Sequence, residues 1–140
     1  FMNLDLANGL IAAALTYRRA QNMKPLTIAV IDAGGHLEAL QREDGTSNLR
    51  AEIAQGKAKG AVAMGLGSRA LFNRAQEQAY FISAMNALND GHLVPVPGGV
   101  LIKRDGVVIG ALGITGDSSD NDEAAAVAAI ESHGLVAETG

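Results

Sequence analysis

A single Asp-Gly pair between two runs rich in β-branched residues constrains this chain more than any other feature. The first run is Val100–Ile102, the pair is Asp105-Gly106, and the second run is Val107–Ile114. Asp and Gly tolerate the positive φ that a tight turn between antiparallel strands requires. The sequence therefore predicts a β-hairpin over residues 100–114.

A loop containing glycine adjoins each end of this hairpin. Pro95–Gly99, the entry loop, is rigid at its prolines and free at its glycines. Thr115–Ser119, the exit loop, leads to a helix start in which Asp120 and Glu123 have the spacing of a capping box. We expect the two loops to meet at one end of a sheet, and any small-molecule site to lie there.

The rest of the chain supplies a second hairpin and several helices. Strands are predicted at 26–32 and 37–42, and helices at about 5–21, 48–66, 69–76 and 120–133, with a less regular helical turn in 77–88. Because consecutive strands are joined as hairpins, the sequence favours an antiparallel sheet over a doubly wound parallel one. The predicted fold class is α/β (α+β), a central antiparallel sheet made of hairpins and flanked by helices, in a single domain of residues 1–140.

Composition excludes several classes of function. The 140 residues include no cysteine, so disulfides, a thiolate nucleophile and cysteine-ligated metal are excluded, which is compatible with the cytoplasm. The net charge of −4, with no basic cluster, argues against a nucleic-acid partner. No run reaches the ~18 apolar residues of a membrane span, and Asp5 interrupts the N-terminal apolar stretch. We therefore expect neither a membrane partner nor a signal peptide.

The residues of the two loops form the candidate ligand site. Backbone N–H groups at Gly98, Gly99 and Gly116 can hold a carboxylate or phosphate, although turn geometry alone explains these glycines about equally well. Arg42, at the end of the second strand, is a candidate clamp for a carboxylate, or a partner in a surface salt bridge. The predicted binding set is Gly98, Gly99, Val100, Gly116, Asp117 and Arg42.

An acidic cluster follows the exit loop. Asp117, Asp120, Asp122 and Glu123 can hold a hard cation, but they lack the spacing of an EF-hand. Carboxylates at a helix start also interact favourably with the helix dipole, which is the favoured interpretation. No two histidines lie at i, i+4, so no metal site is predicted.

Several motifs together resemble one known family. They are the run PVPGGVLI, the run GALGITGD, the helix start DNDEA, and the segments 31–37, 42–45 and 53–58. In order and over nearly the whole chain, they resemble the GlcG/HbpS family, also called the PduO C-terminal-like or haem-degrading domain family. The resemblance implies a profilin-like sandwich, a higher assembly, and haem or another tetrapyrrole as the class of ligand.

Histidines are the candidate axial ligands if haem is bound. His36 follows the turn of the first hairpin, and His92 precedes the entry loop; both are also explained as exposed loop residues. Covalent c-type haem is excluded because there is no Cys-x-x-Cys-His motif. The first helix contains Tyr17 but no histidine, so a family member that ligates metal from a histidine there is no guide to this chain.

Three hypotheses for function remain open from the sequence. The first is a small-ligand-binding protein, with haem or another tetrapyrrole near the two glycine loops. The second is an enzyme acting on a small organic acid at the same pocket, with Asp117 or a histidine moving a proton. The third is an assembly module. The alanine-rich helices, including the stripe Ala51, Ala54, Ala58, Ala61 and Gly65, predict a homo-oligomer, a dimer or higher.

Overall fold

The computed structural model describes all of residues 1–140 and contains five helices and five strands. In chain order they are α1 (Leu4–Ala20), β1 (Thr27–Asp32), β2 (Leu37–Arg42), α2 (Arg50–Met64), α3 (Ser68–Glu77), α4 (Ala79–Leu88), β3 (Gly99–Arg104), β4 (Val107–Thr115), α5 (Ser119–Ser132) and β5 (Val136–Glu138). The predicted α+β class is confirmed.

The strands form one antiparallel sheet in the order β2-β1-β4-β3-β5. Asp105 and Gly106 join β3 to β4 with φ of 53° and 78°, so both central residues of this turn adopt the positive φ that the Asp-Gly pair predicts. Both predicted hairpins are present. In the middle of the sheet β1 pairs with β4, which brings the two hairpins together.

Helices cover both faces of the sheet. Ile28, Val30, Leu112 and Ile114 belong to a core shared with α1 and α5. On the other face, Ile31, Leu101 and Ala111 pack with Ala58 and Ala61 of α2. Successive strand residues point to opposite faces, so the three central strands β1, β4 and β3 contribute to both cores. The predicted sandwich is confirmed.

The small-residue stripe of α2 packs inside the chain. Ala54, Ala58 and Ala61 are fully buried. A Cβ at Gly113 of β4 would collide with the Ala54 carbonyl oxygen, so helix and strand backbones touch directly. The close approach that the stripe predicts therefore occurs between α2 and the sheet, and most of this stripe is unavailable to a second subunit.

The sequence predicts Asp120 as the cap of α5, Ser47 or Asn48 as the cap of α2 and Ser68 as the cap of α3, and all three predictions are wrong. Ser118, not Asp120, caps α5, because its Oγ accepts a hydrogen bond from the Asn121 N–H at 3.2 Å. Leu49 occupies the N-cap position of α2, where neither Ser47 nor Asn48 provides a side-chain cap. Ser68 is the first residue of α3, and its hydroxyl bonds to the entry loop instead.

The sequence also missed or understated two elements. Residues 79–88 form a complete helix, and the three-residue strand β5 pairs with the β3 edge. A strand of three residues forms because it pairs with the edge of an existing sheet, and the local sequence does not show that pairing. None of the helices is both long and apolar enough to cross a membrane.

Candidate functional site

A buried ion pair lies at the end of the sheet where β4 stops. Lys57 of α2 and Asp122 of α5 are 2% and 1% exposed. The Lys57 Nζ lies 3.3 Å from Asp122 Oδ2 and donates to the Ile114 carbonyl oxygen at 2.9 Å. Asp122 Oδ1 accepts a hydrogen bond from the Asp117 N–H at 3.0 Å. The pair thus ties α2, the end of β4 and α5 together.

Burial moves both groups of this pair toward their neutral forms. Loss of solvent lowers the pKa of Lys57 from its ordinary value, and the attraction to Asp122 offsets this only in part. Burial likewise raises the pKa of Asp122, against the opposing attraction to Lys57. A buried acid and base of this kind also occur at catalytic sites, so the pair marks this end of the molecule as a candidate functional site.

The entry loop packs directly against Lys57. Gly98 has φ of 124°, and a Cβ there would lie 2.6 Å from the Ile114 carbonyl oxygen and 2.9 Å from Lys57 Nζ. The Gly99 N–H donates to Ser68 Oγ at 2.7 Å, and that hydroxyl donates to the Val96 carbonyl oxygen at 2.7 Å. Val100 is fully buried in the main core. Gly98 and Gly99 therefore serve close packing, and the Gly99 N–H already has a protein acceptor.

The entry and exit loops lie at the same end of the sheet, as the sequence predicts: Val96 lines one groove together with Thr115 and Asp117, and the N–H of Ile114, just before the exit loop, donates to the Gly98 carbonyl oxygen at 2.9 Å. Asp117 accepts hydrogen bonds from the Lys24 N–H, the Ser118 N–H and the Asn121 side chain. These bonds, led by the one from Lys24, lower the pKa of Asp117. Asp117 is accordingly a poor proton acceptor at neutral pH and acts as a structural hydrogen-bond acceptor.

Two grooves lined mostly by polar and charged residues flank Arg50 at this end of the sheet. One, of about 330 Å³, is lined by Arg50, Ile53, Lys57, Val94, Val96, Thr115, Asp117, Ser119 and Asp122. The other, of about 270 Å³, is lined by Lys24, Pro25, Gly45, Thr46, Ser47, Arg50 and Gly116. The Arg50 Nη1 donates to Thr115 Oγ1 at 2.6 Å. Of the predicted set, Asp117 and Gly116 line these grooves.

Arg42 lies at the same end of the sheet but lines neither groove. It pairs with Thr27 in the β1–β2 register, and its Nη1 donates to the Thr46 carbonyl oxygen at 3.0 Å. Its guanidinium therefore braces the loop between β2 and α2. Among the arginines at this end, Arg50 rather than Arg42 faces the grooves.

A third groove, mainly apolar, lies at the opposite end of the sheet. It encloses about 440 Å³ and is lined by Phe1, Met2, Asp32, Ala33, Gly34, Val107, Val108 and Ile109. His36 stands at its rim, because a Cβ at Gly34 would lie 2.9 Å from the imidazole ring. The six residues of β1 separate this groove from the glycine loops, a span of about 20 Å.

Asp32 fixes the orientation of the exposed His36 ring. Its Oδ1 accepts hydrogen bonds from the His36 N–H and the Gly34 N–H, both at 2.9 Å, and lies 3.2 Å from His36 Nδ1. The backbone bond from His36 is the largest cause that lowers the pKa of Asp32. An ionised carboxylate only accepts hydrogen bonds, so Nδ1 is the donor in this contact.

The other two histidines lie elsewhere. His92 is exposed in the turn after α4, and it lines none of the three grooves described. His133 Nδ1 lies 3.1 Å from the Ala129 carbonyl oxygen at the end of α5, and its ring packs over Gly9. The structure therefore separates His36 and His92 instead of bringing them together.

The acidic cluster is divided among protein partners. Arg69 pairs with Asp120 and Glu123, which together raise its pKa. Asp122 pairs with Lys57. The structure has no group of three His, Cys, Asp or Glu residues arranged to hold a metal ion. These contacts agree with the structural interpretation of the cluster.

Sequence reasoning missed Lys57, Arg50 and Ser68. Lys57 lies three residues after Ala54 and four before Ala61, on the face that the small-residue stripe predicts to be buried. A lysine on a buried face needs a buried partner for its charge, so its position in the sequence already indicated a buried ion pair. Arg50 and Ser68 gave no comparable signal, because their roles depend on contacts with β4 and the entry loop.

Known proteins resemble this chain in sequence and in structure. A family model described as haem degrading protein HbpS-like matches residues 2–131. Protein GlcG of Escherichia coli K12 is 33% identical over 114 residues, 81% of each protein. The corrinoid adenosyltransferase PduO of Salmonella typhimurium is 34% identical over 105 residues, or 74% of this chain, which spans about a third (31%) of PduO.

A solved structure gives the same result for the fold. The crystal structure of a PduOC:haem complex matches with a TM-score of 0.85 and 27% sequence identity, covering 96% of each chain. The family model covers residues 2–131, which is well over half of the chain. The chain belongs to the haem degrading protein HbpS-like family.

Proposed function

We propose that this protein binds haem in the apolar groove beside His36. The observation that carries the proposal is the imidazole of His36, held by the Asp32 carboxylate at the rim of that groove. Family membership and the structural match to a PduOC:haem complex make haem the ligand class to test.

The residues at this groove fit the needs of haem. Metal-bound histidines usually donate their other ring N–H to a carboxylate or carbonyl, and Asp32 is that partner for His36. The side chains of Met2, Val107, Val108 and Ile109 offer an apolar surface to the macrocycle. When bound, haem would supply a redox-active iron. His36 would hold it, Asp32 would orient the ring, and the apolar residues would exclude water.

The glycine-loop end fits haem less well, although the sequence favoured that position. The residues lining its two grooves include no histidine, methionine, tyrosine or cysteine, the side chains that commonly ligate haem iron. We therefore place the haem proposal at the opposite end of the sheet. The catalytic hypothesis for a small organic acid keeps the glycine-loop end as its location.

A haemin titration of the apo protein tests the proposal. We expect a saturable shift of the Soret band in the parent and its loss, or at least a tenfold weaker affinity, in His36→Ala. His92→Ala is the matched control, because His92 is equally exposed but lies in another turn. Equal binding by His36→Ala and the parent, or loss confined to His92→Ala, would overturn the assignment.

We also propose self-association as a dimer or higher. The stripe of α2 is mostly buried within the chain, so the argument rests on other surfaces. Tyr80 and Leu88 of α4 are 73% and 79% exposed, and Leu66 and Phe72 add exposed apolar area on neighbouring segments. Large exposed apolar side chains grouped in this way favour a protein partner, and closed dimers are the commonest solution.

A further inference from the structure

Arg50 carries a positive charge that no protein carboxylate neutralises. The structure contains six ion pairs with N–O distances up to 4.0 Å, and Arg50 belongs to none of them. Of the five N–H donors of its guanidinium, one bonds to Thr115 Oγ1. Haem binding beside His36 leaves this arrangement unexplained, because Arg50 lies at the other end of the sheet.

The carboxylates that line the same groove are committed to other donors. The oxygens of Asp117 accept from two backbone N–H groups and the Asn121 side chain, and those of Asp122 accept from the Asp117 N–H and Lys57. Three cations, Lys24, Arg50 and Lys57, and two carboxylates line the two grooves. The groove that Arg50 shares with the two carboxylates is balanced, and Lys24 in the adjoining groove gives the two grooves together one positive charge in excess.

We propose that Arg50 anchors a small monocarboxylate in the groove between α2 and the exit loop. A guanidinium fork matches the two oxygens of a carboxylate, and the single excess charge of the two adjoining grooves, which meet at Arg50, suits a monoanion. The side chains of Ile53, Val94 and Val96 line the same groove and give a short apolar tail its contacts. This site is separate from the proposed haem groove and extends the function beyond it.

Two other anions bear on the same chemistry. Inorganic phosphate is a mixture of monoanion and dianion at neutral pH, and the second negative charge of the dianion would lie beside Asp117 and Asp122, so phosphate suits the groove less well than a monocarboxylate. Haem carries carboxylates as propionates, so a haem molecule at this end could also engage Arg50. Titrations with propionate, phosphate and haemin distinguish a free monocarboxylate from these two anions.

Isothermal titration with sodium propionate tests the site, and propionamide is the neutral control of the same shape. We expect saturable binding of propionate by the parent, weaker binding of phosphate and none of propionamide. Arg50→Gln should weaken propionate binding about tenfold or more, and Arg50→Lys by less, because lysine keeps the charge and loses the fork. Arg104→Gln is the matched control, since Arg104 is exposed and β3 ends there at the far side of the sheet.

Several results would overturn this inference. The first is that the parent shows no saturable binding of propionate. The second is that a folded Arg50→Gln protein binds propionate as well as the parent does. The third is that Arg42→Gln loses as much propionate affinity as Arg50→Gln. Tighter binding of phosphate than of propionate would reject the monocarboxylate. Loss of haemin binding in Arg50→Gln, with no propionate binding by the parent, would assign Arg50 to haem propionates.

Discussion

At the scale of single residues, buried charge explains why this end of the molecule is built as it is. Lys57 and Asp122 lie in the interior with each other as partners, and an unpaired buried charge is far more costly than a paired one. The pair also holds the Asp117 N–H and the Ile114 carbonyl oxygen in place. The grooves beside Arg50 depend on these positions.

Asp122→Asn should lower the free energy of unfolding by about 3–5 kcal/mol, because it leaves the Lys57 charge buried without a partner. Asparagine keeps an oxygen for the Asp117 N–H, so the loss reports the charge. The double variant Lys57→Met/Asp122→Asn should lose clearly less than the sum of the two single variants. Urea denaturation measures all four proteins, and additive losses would show that the two side chains do not interact.

Asp117 gives stability a dependence on acid pH. Its folded-state pKa lies below the ordinary 3.8, so its contribution is complete above that pH and is lost as the pH falls through and below it. Asp117→Asn should cost about 1–2 kcal/mol at pH 7, because an amide cannot accept all three hydrogen bonds. The difference from the parent should shrink below about pH 3.8. A difference that stays constant from pH 7 to pH 3 would contradict this account.

At the scale of elements, local sequence chemistry predicts much of the fold. The Asp105-Gly106 pair predicts its hairpin because the turn residues themselves determine the geometry. The entry loop was harder to interpret, because Gly99 is required by the Lys57 backbone and Gly98 by the Ile114 carbonyl oxygen, and both are tertiary contacts. For the same reason β5, Ser68 and Arg50 were missed, while the capping of α5 shifted by two residues to Ser118.

Gly99→Val tests the role of the entry loop. The sequence alone predicts that this change weakens ligand binding more than it weakens folding, if the loop holds a ligand. The structure instead predicts a loss of stability of about 2 kcal/mol or more, because any Cβ at Gly99 would collide with the Lys57 carbonyl oxygen. Thermal unfolding with Gly106→Ala as the comparison measures this, since a Cβ at Gly106 meets no neighbouring atom and only its φ is unfavourable. A Gly99→Val protein as stable as the parent would contradict the packing role.

At the scale of the whole molecule, the sheet separates two candidate sites. The groove beside His36 is mainly apolar and has an oriented imidazole, whereas the glycine-loop end is lined mostly by polar and charged residues and has a cation without a carboxylate partner. From the sequence, His36 and the glycine loops were assigned to one predicted pocket. The sequence did not show that β1 pairs antiparallel with β4, which places the turn of the first hairpin at the opposite end of the sheet from the glycine loops.

Light scattering at micromolar concentration tests self-association. We expect a mass at least twice the 14.4 kDa of one chain. Tyr80→Lys/Leu88→Lys should lower that mass, because both side chains are exposed on α4 and a buried charge opposes association. Val107→Lys is the control at the other end of the sheet. A parent mass near 14.4 kDa would reject the proposed assembly.

A single NMR titration tests most directly whether haem lies at the His36 end. Ferric haem is paramagnetic and broadens the amide signals of nearby residues, so a ¹⁵N-labelled protein titrated with haemin reports the position of the iron. If haem binds beside His36, we expect selective loss of the amide signals of Gly34, His36 and Val108, while the signals of Gly98, Thr115 and Gly116 persist. Broadening centred on Gly98, Thr115 and Gly116 would contradict it and return haem to the glycine loops.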